Sequence, residues 1–168
     1  MFVRFLRENA FAAFLLTIVR LYLGWLWFQA GFKKVTGDFD ASGFLQGAVK
    51  KASGDNPAVQ PWWSDFLTGV AIPNVGFFNQ LVPWGEFLVG IGLLLGTFTT
   101  LAVLMGAVMN FAYLFSGAIS SNPQMILMEV LLLVAGFNAA KIGLDGWIIP
   151  FFRRKFTMKK SVQNPVEA

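Results

Sequence analysis

Residues 20–34, RLYLGWLWFQAGFKK, decide how this chain folds. They belong to an apolar segment of membrane length that contains a charge: eleven uncharged residues separate Glu8 from Arg20, and twelve separate Arg20 from Lys33. An arginine at that depth costs at least ~2.5–3.5 kcal/mol to insert into a bilayer, so we expect it to face protein or water rather than lipid. Helical spacing predicts that Arg20 shares one helix face with five other residues: Ala13, Thr17, Gly24, Trp27 and Gly31.

The composition excludes several classes of protein and of functional site. Apolar residues make up 56% of the 168 residues and charged residues only 13%, too few for a typical soluble domain. The absence of Cys and His removes disulfides, Fe–S clusters, His-ligated haem and the usual zinc sites. We therefore expect no metal site and no covalently bound cofactor. A nucleic-acid partner is not predicted either, because more than half of the basic residues cluster at the chain ends beside apolar spans.

Four apolar segments predict an all-α membrane protein, a four-transmembrane-helix bundle with an outer loop that contains short amphipathic helices. Pro83 is expected in the first turn of the second span, where its missing N–H is tolerated. We expect one domain over residues 1–160 and a disordered tail at 161–168. The predicted spans are about 10–32, 83–97, 101–119 and 124–144, and the outer loop is 33–80.

Charge distribution predicts the orientation of this bundle. The chain ends carry seven Lys and Arg against two acids, whereas the loop carries four of each, so both termini are expected in the cytoplasm and the loop outside. The first span has no clear small-residue cleavage site after it and is interpreted as a retained anchor. Within the loop, one short helix is expected to begin at Ser42, its N-cap, and a second to end before Pro73.

Each predicted span has a face of small or polar residues, and together these faces predict a polar pocket that opens outward beneath the loop. Its candidate catalytic residues are Glu86 and Glu129, carboxyl groups able to exchange protons with a ligand. We expect Arg20 to pair with Glu129, and Lys141 with Asp145 one turn later near the cytoplasmic boundary. The candidate ligand-binding residues are Arg20, Gln29, Asn110, Trp27, Trp84 and Asn138. These residues also fit a purely structural role, in which small residues pack the helices and buried ion pairs set their register.

Three segments, in this order, resemble the signature of DoxX-like membrane proteins. Residues 20–34 match R-L-x-L-G-x-x-x-x-x-A-G-x-x-K, and 86–99 match E-L-x-x-G-x-x-L-x-L-G-x-x-T with Phe87 in place of the Leu. Residues 137–145 are similar to the closing element, so the resemblance spans about 11–149. The chain differs in its longer outer loop and in Thr100, where an Arg often follows the second segment. The matching positions are Arg20, Gly24, Gly31, Lys34, Glu86, Gly90 and Asp145.

The resemblance implies a four-helix protein of the bacterial cytoplasmic membrane. A DoxD relative is the membrane subunit of a thiosulfate:quinone oxidoreductase, and other members are linked to redox and thiol-stress systems through partner proteins. We therefore predict a membrane subunit of a redox system that binds quinone or anchors a quinone-linked oxidoreductase, in contact with membrane lipid and a redox partner protein. Two alternatives stay open: a small-solute carrier or permease acting as a homo-oligomer, and a non-catalytic membrane scaffold subunit.

Overall fold

A computed structural model describes residues 1–163 of the chain, apart from the side chains of residues 154 and 156–163. Every regular element in that part of the chain is helical, which confirms the predicted all-α class. A π-helical turn, Leu67–Ala71, directly continues α4. The α-helices are α1 (Phe2–Glu8), α2 (Ala10–Val35), α3 (Ser42–Lys50), α4 (Pro61–Phe66), α5 (Val75–Leu95), α6 (Thr99–Phe115), α7 (Asn122–Ala135), α8 (Phe137–Ala140) and α9 (Asp145–Gln163).

Two of these helices have the length and composition of a membrane span, α2 with 26 residues and α5 with 21. The apolar helices α6 and α7 are shorter, with 17 and 14 residues. α2 starts where the first span was predicted to start. The side chain of Asn9 fixes this start, because its Oδ1 accepts hydrogen bonds from the backbone N–H groups of Phe11 and Ala12.

Glycines bring the backbones of α2 and α5 together, and these two helices form the most extensive helix contact among the described residues. A Cβ atom added to Gly31 would overlap the backbone of Phe87, and one added to Gly90 would overlap the backbone of Phe28. Gly24 also lies directly against α5. Small residues allow this close approach between apolar helices, so the predicted packing role of these glycines is confirmed.

α5 begins earlier than predicted, because packing against the outer loop extends it on the N-terminal side of Pro83. The helix starts at Val75, and Pro83 lies inside it as a buried residue. Val75 and Phe78, which precede the proline, pack against an apolar cluster of the loop. Placing Pro83 in the first turn was therefore wrong. The apolar contacts of the additional turns offset the hydrogen bond that proline cannot donate.

The predicted fourth span, 124–144, is not one continuous helix. α7 ends before Gly136, whose φ of +60° and ψ of −131° suit glycine and are rarely adopted by other residues. The short helix α8 follows, and the chain then leaves helical structure until Asp145 begins α9. α9 continues through residue 163, and the rest of the predicted tail, 164–168, lies outside the described residues.

The outer loop contains the two short helices that the sequence predicted, α3 and α4. Ser42 is not the N-cap of α3, since Ala41 occupies that position. Instead, Asp40 accepts hydrogen bonds from the hydroxyl and the N–H of Ser42 at 2.8 and 3.1 Å, and from Asn79 of α5 at 3.0 Å. These bonds, led by that from the Ser42 hydroxyl, hold the pKa of Asp40 below its usual value. The helices share a small apolar cluster formed by Ala41, Leu45, Ala48, Leu67 and Ala71.

Gly31→Ala is expected to destabilise the fold, because the added methyl group would force α2 and α5 apart. We expect the free energy of unfolding to fall by ~1–3 kcal/mol, measured by denaturant unfolding of the purified protein in detergent with circular dichroism. The matched control is Gly47→Ala in α3, where an added Cβ meets nothing within 4 Å and alanine favours the helix. Equal stability of the two variants would contradict the packing role of Gly31.

Candidate functional site

A cavity of about 620 Å³ lies at the end of the bundle nearest the outer loop. Its walls are the C-terminal halves of α2 and α6, the N-terminal half of α5 and the start of α7, and the loop helices α3 and α4 cover it. The sequence predicted a pocket in this position but expected a polar one. Most of the lining is apolar, including Leu26, Phe44, Leu45, Trp63, Phe66, Leu67, Phe78, Leu81, Val82, Val108 and Met109.

One group of polar side chains, here termed the outer pole, consists of Lys34, Glu86 and Tyr113 on the cavity wall. Lys34 Nζ lies 2.5 Å from Glu86 Oε2, and the Tyr113 hydroxyl donates to Glu86 Oε1 at 2.5 Å. Glu86 is 1% exposed, so both of its oxygens are satisfied by protein donors in a buried position. Lys34 has further N–H groups, and its side chain stays 27% exposed, so it retains the capacity to donate to a ligand.

A second group, here termed the inner pole, consists of Trp27, Asn110 and Glu129. Asn110 Nδ2 donates to Glu129 Oε1 at 2.8 Å, and Trp27 Nε1 donates to the same oxygen at 3.2 Å. Gly106 makes this arrangement possible, because a Cβ there would press on the carboxyl group and on the indole. Glu129 Oε2 and Asn110 Oδ1 are buried and have no hydrogen-bond partner. Trp27 and Asn110 border the cavity, which brings this group to the same site as the outer pole.

Comparison with family models shows that the model of the DoxX family matches residues 15–118. The chain belongs to the DoxX family. The resemblance seen in 20–34 and 86–99 is thereby confirmed, whereas the closing element at 137–145 lies outside the matched region. No curated protein and no solved structure matches the chain. The protein is thus a DoxX-family membrane protein whose matched region contains the whole outer pole.

Arg20, the first residue of the DoxX-like signature, lies away from the cavity and binds backbone. It is 2% exposed, and its guanidinium donates to the carbonyl oxygens of Leu93 at 2.9 Å and Ile142 at 2.6 Å. Gly96 and Gly143 flank the guanidinium, where a Cβ would overlap it or crowd it. The predicted pair between Arg20 and Glu129 is therefore wrong. The arginine extends to the end of α5 opposite the loop, whereas the carboxyl group lies at the inner pole.

Asp145, the last residue of the DoxX-like pattern, caps a different helix from its own. Its two carboxylate oxygens accept hydrogen bonds from the N–H groups of Phe98 at 2.9 Å and Thr99 at 2.7 Å, at the start of α6. The predicted pair with Lys141 is wrong, because the chain between them is not helical and the i, i+4 spacing has no meaning there. Lys141 is exposed, whereas Asp145 is 5% exposed.

Three other candidate residues also lie outside the cavity of this DoxX-family protein. Gln29 is exposed on α2, and Trp84 is 47% exposed on α5, where its ring meets the edge of Phe87. Asn138 is buried at the opposite end of the bundle and donates to the backbone carbonyls of Leu6 and Asn9. The structure therefore brings together Glu86, Trp27 and Asn110 as cavity residues, with Glu129 held by the last two.

Lys34 and Tyr113 were not predicted as site residues, although the sequence contained a signal for both. Lys34 continues the helical face of Trp27 and Gly31, and Tyr113 follows Asn110 by three residues on α6. What the spacing did not reveal was that both side chains converge on Glu86. That contact depends on how α2 and α6 pack against α5.

Arg20→Lys is expected to destabilise the protein, because an ammonium group cannot span two carbonyl groups as a guanidinium does. Loss of one charge-assisted hydrogen bond predicts a decrease of ~1.5–3 kcal/mol in the free energy of unfolding, measured by denaturant unfolding in detergent. The control is Arg4→Lys, at a side chain that is 81% exposed and pairs only with Glu8 among the described contacts. A loss of stability as small as that of the control would contradict the structural role of Arg20.

Proposed function

We propose that this DoxX-family protein is the membrane subunit of a quinone-linked redox system and binds the quinone head group in the cavity beneath the outer loop. The observation that supports this most is the cavity itself, about 620 Å³ of mostly apolar space with the outer and inner poles beside it. Small-molecule sites have this size and this combination of apolar walls and few polar groups. A quinone is a flat apolar ring whose polar atoms are two carbonyl oxygens, so its chemistry suits the site.

The outer pole supplies a donor for one quinone carbonyl. Lys34 is held by Glu86, which orients it without consuming all of its N–H groups, whereas the one O–H of Tyr113 is donated to Glu86. Reduction of a quinone requires two electrons and two protons. We assign Glu86, through Lys34, and Glu129, through the inner pole, as the carboxyl groups that exchange those protons. The electrons come from a redox partner protein, because a chain without Cys and His has no residues for the usual metal relays.

We also propose that four segments cross the bilayer of a bacterial cytoplasmic membrane: α2, α5, α6, and α7 together with α8. α6 has 17 residues and is therefore ~26 Å long, close to the ~30 Å hydrocarbon thickness that a span must cover. The chain ends carry seven basic residues, whereas the loop carries four, which an equal number of acids balances. This difference supports cytoplasmic termini. In this orientation the cavity opens toward the outer side.

The orientation is testable with single cysteines, since the natural sequence has none. Gln46→Cys, exposed on α3, is expected to react in intact cells with a membrane-impermeant maleimide. Glu8→Cys, at a side chain that is 62% exposed, should react only after the cells are opened. Labelling of Glu8→Cys in intact cells, with Gln46→Cys protected, would reverse the proposed orientation.

Quinone binding is tested with decylubiquinone titrated into the purified protein in lipid nanodiscs, followed by tryptophan fluorescence, because Trp27 and Trp63 line the cavity. Lys34→Met is expected to weaken binding about fivefold, the effect of losing one hydrogen bond worth ~1 kcal/mol. The neighbouring lysine provides the control: Lys33→Met, at an exposed residue that does not line the cavity, should bind as the natural protein does. Absence of saturable binding to the natural protein would overturn the proposed function and favour a scaffold role.

A further inference from the structure

The inner pole has two acceptor atoms that the protein does not satisfy. Asn110 and Glu129 are both 0% exposed, and yet Asn110 Oδ1 and Glu129 Oε2 have no partner. The other carboxyl oxygen of Glu129 accepts hydrogen bonds from both the Asn110 amide and the Trp27 indole. Buried polar atoms are nearly always paired in native proteins, so two unpaired ones on a hydrogen-bonded pair of side chains indicate a missing partner.

The two poles border the same cavity. Asn110 and Tyr113 are three residues apart on α6, a rise of ~4.5 Å along the helix axis, and both line the cavity. Lys34 lines it too, so a ligand with one oxygen held by Lys34 occupies a cavity that Asn110 also borders.

We propose that the inner pole binds a hydroxyl group, and that the cavity consequently holds the quinol form of its ligand more tightly than the quinone; this rests on the proposed quinone site. A hydroxyl group carries one hydrogen and also accepts, so it donates to Asn110 Oδ1 and accepts from Glu129 Oε2 when the carboxyl group carries a proton. A quinone carbonyl only accepts, and it leaves Asn110 Oδ1 unpaired. At the outer pole the oxygen of either form accepts from Lys34, so only the inner pole discriminates.

Preference for the quinol has a consequence for electron transfer. A site that binds the reduced form more tightly raises the midpoint potential of the bound couple by ~30 mV for each tenfold difference in affinity of a two-electron couple. The cavity is therefore suited to the reduction of quinone by a donor of lower potential. The protein raises this midpoint potential through one unsatisfied amide oxygen rather than through a charge.

The test compares decylubiquinone with decylubiquinol, kept reduced under anaerobic conditions, in nanodiscs that contain the natural full-length protein. We expect the quinol to bind about tenfold more tightly, the effect of leaving one buried acceptor unpaired. Equal affinities, or tighter binding of the quinone, would overturn this inference and leave the quinone site intact. Failure of both molecules to bind would overturn the proposed function itself.

Two variants locate the preference at the inner pole. Asn110→Leu removes the amide oxygen at similar volume and should abolish the difference between quinol and quinone. Asn74→Leu is the matched control, because Asn74 is an exposed residue before α5 and does not line the cavity. If Asn110→Leu still binds the quinol more tightly than the quinone, the assignment of this preference to the inner pole is wrong. If that variant does not fold, the comparison of quinol and quinone in the natural protein decides the proposal.

Discussion

The fold depends on the burial of one positive charge. Arg20 lies in a helix long and apolar enough to span a membrane, and its guanidinium is stabilised by the carbonyl oxygens of Leu93 and Ile142 and by the opposite charge of Asp145. Those partners belong to the end of α5 and to the segment before α9. Because an unpaired charge in this position is costly, the three segments are held together. Gly96 and Gly143 are required there, since only glycine leaves space for the guanidinium.

Buried charges in this protein serve two different purposes at the two ends of the bundle. At the end opposite the loop, Arg20 and Asp145 bind backbone groups and connect helices. At the loop end, Glu86 and Glu129 bind side chains, and both groups border or support a cavity. Side chains that bind only backbone groups stabilise the fold. A carboxyl group held by side-chain donors at a cavity wall remains close to any ligand that enters.

The outer loop covers one end of the helix bundle and thereby completes the cavity of the candidate site. Its helices share an apolar cluster of their own, and two hydrogen bonds attach the loop to the end of α6: Trp63 Nε1 to Ser116 Oγ at 2.9 Å, and Lys51 Nζ to the carbonyl of Gly117 at 3.0 Å. Phe44 meets the edge of the Tyr113 ring, so the loop also contacts the outer pole directly. The cavity therefore exists because the loop packs across the helix ends, and loop and bundle form one functional unit.

The sequence by itself determined the all-α class, the start of α2, the short loop helices, the glycines of the α2–α5 contact and most of the polar residues near the cavity. These follow from periodicity and composition, which act within one helix at a time. Only the tertiary structure decided the partners. Arg20 bonds to backbone carbonyls and not to Glu129. Asp145 caps the start of α6 and does not pair with Lys141. Glu86 accepts hydrogen bonds from both Lys34 and Tyr113. The physical reason is that spacing gives the face and depth of a long side chain, whereas its contacts depend on the rotation and approach of neighbouring helices, which no single segment encodes.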